Sequence, residues 1–477
     1  KPVPKASTPD TISVTNGPSG SPYSIGIDFG VKSSPDLPSG NYSKQILFTT
    51  ITNRVPNKAK FKTGGDFNSI FNSVVDTSAT PIDYFKHSTT PPANFATATL
   101  ASADDSERPI YIWYNSVDKT VYWWSDADNV YANEDASSMF NSLYINQLAD
   151  LRGINFSKTK NMNSMFAVAK TGGCIKKVNF DGFDTSNVED MSYMFQSFCI
   201  YGSISSDAVA GISNFNTSKV KNMSGMFNNA RIKKLDLSSW DTKNVTDMSK
   251  MFDHADDLAE LNVNNFNTSK VTNMSQMFAY APNLTNLDVT SFDTSHVTDM
   301  LLMFAGMEKL SSLDLSHFNT SNVTNMSAMF YGNKNIVNLD LSSFNTSNVT
   351  DMSSMFASMK KLQNLNLSSF NTANVLSMAG MFELAMTNPE NSTLDLSTFN
   401  TPSLSNASRM FADSKVKTIY ASTNFDTTHI PNYNYLFSYN TNLVGGNGTA
   451  FSPSNPTDKT YARIDAPGTP GYFTKKP

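Results

Sequence analysis

The chain repeats one phrase: Phe-Asn/Asp-Thr-Ser-x-Val-Thr-x-Met-Ser-x-Met-Phe, a short variable limb, then Leu-x-x-Leu-Asp-Leu-Ser. One copy runs from Phe318 to Phe330 and continues through Ile336, Leu339 and Leu341, and the next begins at Phe344. Copies this short cannot each bury their apolar side chains in a private core, so neighbouring copies must stack and share one. The aromatic that closes each Met-Phe step marks the series: Phe140, Phe166, Phe195, Phe227, Phe252, Phe278, Phe304, Phe330, Phe356, Phe382, Phe411 and Phe437. Most steps are 25 or 26 residues, which predicts about twelve rungs.

Each rung has two limbs that behave differently. From the opening aromatic to the Met-Phe aromatic the spacing holds at 12, as in Phe183 to Phe195 and Trp240 to Phe252. The other limb varies, and its inserts fall at Lys170 to Gly173, Tyr201 to Ala210 and Met386 to Pro389. A stacked limb cannot lengthen without losing register, so additions leave by a loop on one side. The period, with Leu-x-x-Leu-x-Leu inside it, fits the leucine-rich-repeat class of solenoid. The expected fold is an α/β repeat solenoid. It has a parallel strand at Leu-x-Leu-Ser, for example Leu313 to Ser316, and a short helical or 3₁₀ turn at Met-Ser-x-Met-Phe. Most of the 23 Met fall at two fixed positions per rung beside Phe, which makes them core.

The organisation expected along the chain is a linker and small β-rich domain over 1–108, with strand character at Tyr23 to Phe29, Gln45 to Thr52 and Lys58 to Lys62. An aromatic hairpin follows over 109–134. There Ile110-Tyr111-Ile112-Trp113-Tyr114 and Thr120-Val121-Tyr122-Trp123-Trp124 flank a polar turn. Its large aromatics are expected to cover the open end of the first rung. The array spans 135–451, and a cap closes it over 452–477, with Tyr461 to Ile464 and Tyr472-Phe473 folding over the last rung. Because Lys1 is not an initiator Met, the sequence reads as a mature or trimmed fragment. No apolar run approaches the ~18 residues a membrane helix needs.

The motif Phe344 to Phe356, with the entry segment Pro109 to Phe140 and the exit segments Leu443 to Phe451, Lys459 to Arg463 and Gly471 to Phe473, resembles BspA-type leucine-rich-repeat surface proteins of lactic-acid and other host-associated bacteria. The resemblance covers about 109–477. It implies a secreted or wall-attached adhesin at the bacterial cell surface, without catalytic residues. It also implies partners among host extracellular matrix, mucin or another surface protein or glycan. The slot three residues after the Met-Phe aromatic, often Cys in that family, holds Ala255, Ala281, Met307, Asn333 or Met359 here. The alternative is a rigid stalk that displays an N-terminal binding domain. A monomer is expected, and a nucleic-acid partner is not.

Three groups are candidate sites. Asp236, Asn262, Asp288, Asp314, Asp340, Asn366 and Asp395 sit between the paired strand positions, so five carboxylates and two amides should project outward in one column ~5 Å apart. Neighbouring charges at that spacing repel by ~0.8 kcal/mol in water. Ser and Thr two residues on, water, or a calcium ion could offset this. Calcium would need six to eight oxygens around a point, which a straight column does not supply. Lys233, Lys234, Lys309, Lys360 and Lys361 follow the Met-Phe step and should line a basic edge that could hold an anionic polymer. Cys174 and Cys199 fall in neighbouring rungs and either pair or remain thiols. Five scattered His, no phosphate loop and no nucleophile elbow speak against an enzyme, and no cofactor is expected. Net charge is -5, which by itself names no partner.

Overall fold

A computed structural model describes residues 56–75, 80–168, 175–198, 208–387 and 392–477. Residues 57–477 form one compact unit. The expected strands at Tyr23 to Phe29 and Gln45 to Thr52 lie outside the described residues. The boundary expected after residue 108 falls inside the compact unit. Its elements are β1 (Lys58–Lys60), α1 (Gly64–Val74), β2 (Tyr84–His87), β3 (Thr99–Leu100), β4 (Tyr111–Asn115), β5 (Thr120–Trp124), β6 (Asn129–Tyr131), β7 (Leu148–Asp150), β8 (Ile154–Asn155), β9 (Val178–Asn179), β10 (Lys234–Asp236), β11 (Glu260–Asn262), β12 (Asn338–Asp340), β13 (Asn364–Asn366), β14 (Thr393–Leu396), β15 (Thr418–Ala421) and β16 (Phe473–Lys475). The described fold is a repeat solenoid, mostly β.

Stacking is set by the closing Phe of each rung. From Phe140 to Phe437 the twelve rings form one continuous pile, with successive centroids 5.3–6.0 Å apart and planes within 15°. The paired Met side chains beside them, such as Met300 and Met303, are fully buried. Edge-on rings end the pile on both sides. Phe67 and Phe85 meet Phe140 at 5.8 and 5.2 Å, and Tyr472 and Phe473 meet Phe437 at 5.1 and 5.9 Å. A T-shaped contact lets the electron-poor edge of one ring meet the face of another, which suits a terminus.

The Met-Ser-x-Met-Phe segment is neither α nor 3₁₀, contrary to expectation. It is a run of reverse turns. In the rung of Phe252, Met251 donates to Met248 O and Ala255 to Phe252 O, with Lys250 and His254 at φ 58° and 53°. A positive φ at the third residue of a turn marks type II geometry. The alternate N–H groups, those of Met248, Lys250, Phe252 and His254, donate forward to Asn273, Ser275, Met277 and Ala279 of the next rung. A helix would have closed these bonds inside the rung. The turns instead leave every second peptide free to bond along the array, which offsets the ~1–2 kcal/mol cost of each left-handed residue.

The unbroken hydrogen-bonded seam is therefore on the turn side. The strand side is patchier. β10 pairs with β11, β12 with β13, and β14 with β15, all parallel, yet Leu313 to Ser316 forms no ladder. A second seam runs through the repeated Thr. Thr320 is fully buried, and its Oγ1 donates to Asn345 O and accepts from Asn345 N, both at 2.9 Å. Thr294, Thr346 and Thr372 hold Asn319, Asn371 and Asn400 in the same way.

Because alternate N–H groups of the turns point forward, the first rung presents the matching carbonyls bare. Helix α1 covers them. Gly64 N donates to Asp135 O at 2.9 Å, and Asn68 Nδ2 donates to Asn141 O at 2.9 Å and Met139 O at 3.4 Å. A Cβ on Gly64 would lie 2.1 Å from Ser137 O, so only glycine permits this approach. The hairpin of β4 and β5 forms as read from sequence, with Ile112 opposite Trp123. Its role differs from the one expected. Trp123 turns inward and is buried, whereas Trp113 and Trp124 lie on the half-exposed side with Tyr111 and Tyr122. The rings over the first rung are Phe67 and Phe85, from a stretch with no repeat signal.

Candidate binding face

The outward side of the strands carries two rows of polar side chains. Register pairs Asn338 with Asn364 and Asp340 with Asn366, while Thr393 and Asp395 belong to the following rung. The rows are bonded across rungs: Asn364 Nδ2 donates to Asn338 Oδ1 at 2.6 Å and Asn366 Nδ2 to Asp340 Oδ1 at 2.9 Å. Together with Gln363 they line a shallow groove of about 450 Å³, floored by Leu339 and Leu365.

All five candidate carboxylates sit on this side, and each closes a local turn. The Oδ1 of Asp236 accepts Ser238 N at 3.2 Å and Ser238 Oγ at 2.7 Å. Asp288 accepts Thr290 N at 3.0 Å and Thr290 Oγ1 at 2.7 Å. Asp314, Asp340 and Asp395 take the N–H of Ser316, Ser342 and Ser397, each at 3.0 Å. These bonds hold the carboxyls below the usual range. For Asp236 and Asp288 the largest contribution is the hydroxyl two residues on, and for Asp314 and Asp340 it is the backbone N–H. Burial pushes Asp395 upward, but Lys476, 2.6 Å away, and Ser397 outweigh it. With one oxygen of each carboxyl spent in a turn, the column is a series of Asx turns. Among the described residues no group of three or more His, Cys, Asp or Glu is placed to hold a metal ion.

The five candidate lysines do not form one edge. Lys234 lies on β10 and pairs with Glu260 at 2.6 Å. Lys309 and Lys361 lean back one rung onto Asn283 and Asn335, both at 2.7 Å. Lys233 and Lys360 are exposed. Acids from neighbouring rungs also enter the stripe, with Lys334 bonded to Glu308 and Arg231 3.3 Å from Asp257. Cys174 and Cys199 lie outside the described residues, as do Lys170 to Gly173 and most of the insert after Tyr201.

Sequence reading missed three features. Asp465, nearly buried in the cap, accepts Asn447 N, Thr449 N, Thr449 Oγ1 and Gly471 N at 2.8, 2.9, 2.7 and 3.2 Å. Asp253 is buried against His254 Nδ1 at 2.7 Å and Asn228 Nδ2 at 3.0 Å, and burial raises its carboxyl pKa. A second groove, of about 400 Å³, opens on the face that carries the exposed Thr of the Val-Thr step. It is lined by Glu189, Lys219, Lys221, Asn244, Thr246 and Lys270. The signal for it was in the sequence, because Lys219 and Lys270 occupy the same repeat position two rungs apart.

Stacked rungs, edge-on aromatic caps and an open polar face define a repeat protein of solenoid type. The chain belongs to the family described as Mycoplasma protein of unknown function, DUF285. That family's model matches in overlapping segments, 134–258, 173–282, 203–313, 259–342, 300–419 and 332–447. No curated protein and no solved structure matches the chain. Among the described residues no helix is long and apolar enough to cross a membrane.

Proposed function

We propose that the chain is a noncatalytic adhesin of the BspA-like leucine-rich-repeat type, displayed at a bacterial surface or secreted. It recognises host matrix, mucin or a surface glycan through the outward strand face. The observation that carries this reading is the groove over Asn338, Asp340, Asn364, Asn366 and Thr393. Amides, carboxylates and hydroxyls stand there in rows at rung spacing, pre-ordered by their own hydrogen bonds. Such a surface holds a polymer by many weak polar contacts without paying much to organise itself.

Binding of the intact chain to immobilised matrix proteins and mucin tests the reading, beside the variant Asn338→Ala/Asn364→Ala/Thr393→Ala. These side chains are exposed, so stability should change little. Loss of capture with an unchanged melt supports the face. Undiminished capture would assign the binding elsewhere and favour a stalk.

A further inference from the structure

We propose that the second groove, between Lys219, Lys221 and Lys270, is a site for a sulfated polysaccharide. The proposal rests on the reading of the array as a binding scaffold and adds the ligand chemistry of a separate face. The positions come from two columns of the repeat. Asn187, Lys219, Asn244 and Lys270 occupy the slot before Val, and Lys158 occupies it in the rung where Thr159 replaces Val. Lys160, Glu189, Lys221 and Thr246 occupy the slot after it. Both columns lie outside the buried Val and Thr, so their side chains face solvent.

Charge on this face is unbalanced. Lys160 pairs with Glu134 at 3.1 Å and Lys221 with Glu189 at 2.6 Å. Lys219 and Lys270 instead donate to the neutral amides Asn187 and Asn244, the latter at 2.7 Å. The groove therefore holds three ammonium groups against one carboxylate, in a chain whose net charge is -5. Lys221, and more weakly Lys160 and Lys219, hold the carboxyl of Glu189 below its usual range. Beyond Lys270 the same columns lose their lysines, with His296, Asn322, Asn348 and Asn374 in one and Thr272, Thr298, Thr324 and Thr350 in the other.

Lys219 and Lys270 stand two rungs apart, about 10 Å at strand spacing. Asn244 and Thr246 lie between them. A ligand that fits carries anionic groups at intervals and hydroxyls in between, which describes a sulfated glycan. Among the described residues no aromatic ring lines the groove. A single-stranded nucleic acid would lack the stacking surface it ordinarily uses.

The test is binding of a fluorescent heparin oligosaccharide to the intact chain at physiological salt. Wild type should bind, and binding should weaken steeply as added salt screens the site. The variant Lys219→Ala/Lys221→Ala/Lys270→Ala should lose at least tenfold in affinity with an unchanged melt, and the matching Arg variant should keep it. Lys309→Ala/Lys360→Ala/Lys361→Ala should stay within twofold of wild type. The proposal fails if wild type does not bind, if the triple Ala variant binds as wild type does, or if an oligo(dT) of equal charge binds as tightly as heparin. Mucin and matrix capture is run in parallel. If the triple variant keeps capture while losing heparin, the groove stands as a site separate from the strand face. If wild type captures mucin but ignores heparin, the groove proposal alone is lost.

Discussion

Replacing Thr320 with Val tests why the repeat insists on Thr after Phe-Asn/Asp. The two side chains are nearly the same shape, so the apolar packing of the rung is kept. The change removes a hydroxyl that is wholly buried and holds both the N–H and the C=O of Asn345 in the next rung at 2.9 Å. Two hydrogen bonds lost at ~0.5–1.5 kcal/mol each give ~1–3 kcal/mol, and backbone groups left facing a methyl add to this. The expected cost is about 2–4 kcal/mol, concentrated at one interface, because a repeat array sums nearest-neighbour terms. Urea unfolding reads the total, and amide exchange at Asn345 and its neighbours shows where it falls. Thr324→Val is the control. Thr324 is exposed, and its hydroxyl donates to Thr298 O at 3.2 Å, so its loss should cost under about 0.5 kcal/mol. Equal costs for the two variants, or no faster exchange at Asn345, would refute the buried-hydroxyl account.

Asp465→Ala should loosen the C-terminal cap by about 3–5 kcal/mol, because four donors lose a nearly buried carboxylate, and faster amide exchange at Tyr472 and Phe473 should report it before the array unfolds. The carboxyls of Asp236, Asp288, Asp314 and Asp340 are depressed in the folded chain, so their contribution is complete above the unfolded value near 4 and is lost as pH falls through the folded values. The urea midpoint should therefore drop below about pH 4, and a midpoint flat down to pH 2.5 would contradict the Asx-turn account. A melt with chelator should match one with added calcium, since one oxygen of each outward Asp is engaged in a turn; a rise in midpoint with calcium would overturn that. Asn68→Ala should destabilise the first rung by about 1–2 kcal/mol, read as faster exchange near Met139 and Asn141 than at Phe330.

The sequence by itself determined the stacking. A fixed period with Phe, Met, Val and Leu at set places leaves one way to hide them, and the twelve marked Phe form one pile. It also located the hairpin and the closing Tyr472-Phe473, because strand alternation and terminal aromatics are local signals. What it could not decide was how each rung closes. Met-Ser-x-Met-Phe has a composition that suits a helical turn. Only the neighbouring rung, offering carbonyls at every second residue, makes a chain of type II turns the better solution. The same holds for the cap over the first rung. Phe67, Phe85 and Asn68 carry no repeat signature and are recruited by tertiary packing, the two rings onto Phe140 and the amide onto exposed carbonyls. Likewise the outward Asp could be read as a column with Ser or Thr two residues on as one partner among several, but the backbone N–H that closes each turn shows only in the fold, and of five lysines that look periodic along the chain three divide among separate partners. Periodicity fixes which residues face inward. What an outward side chain does depends on which neighbour reaches it first, and that is a matter of distance across the stack.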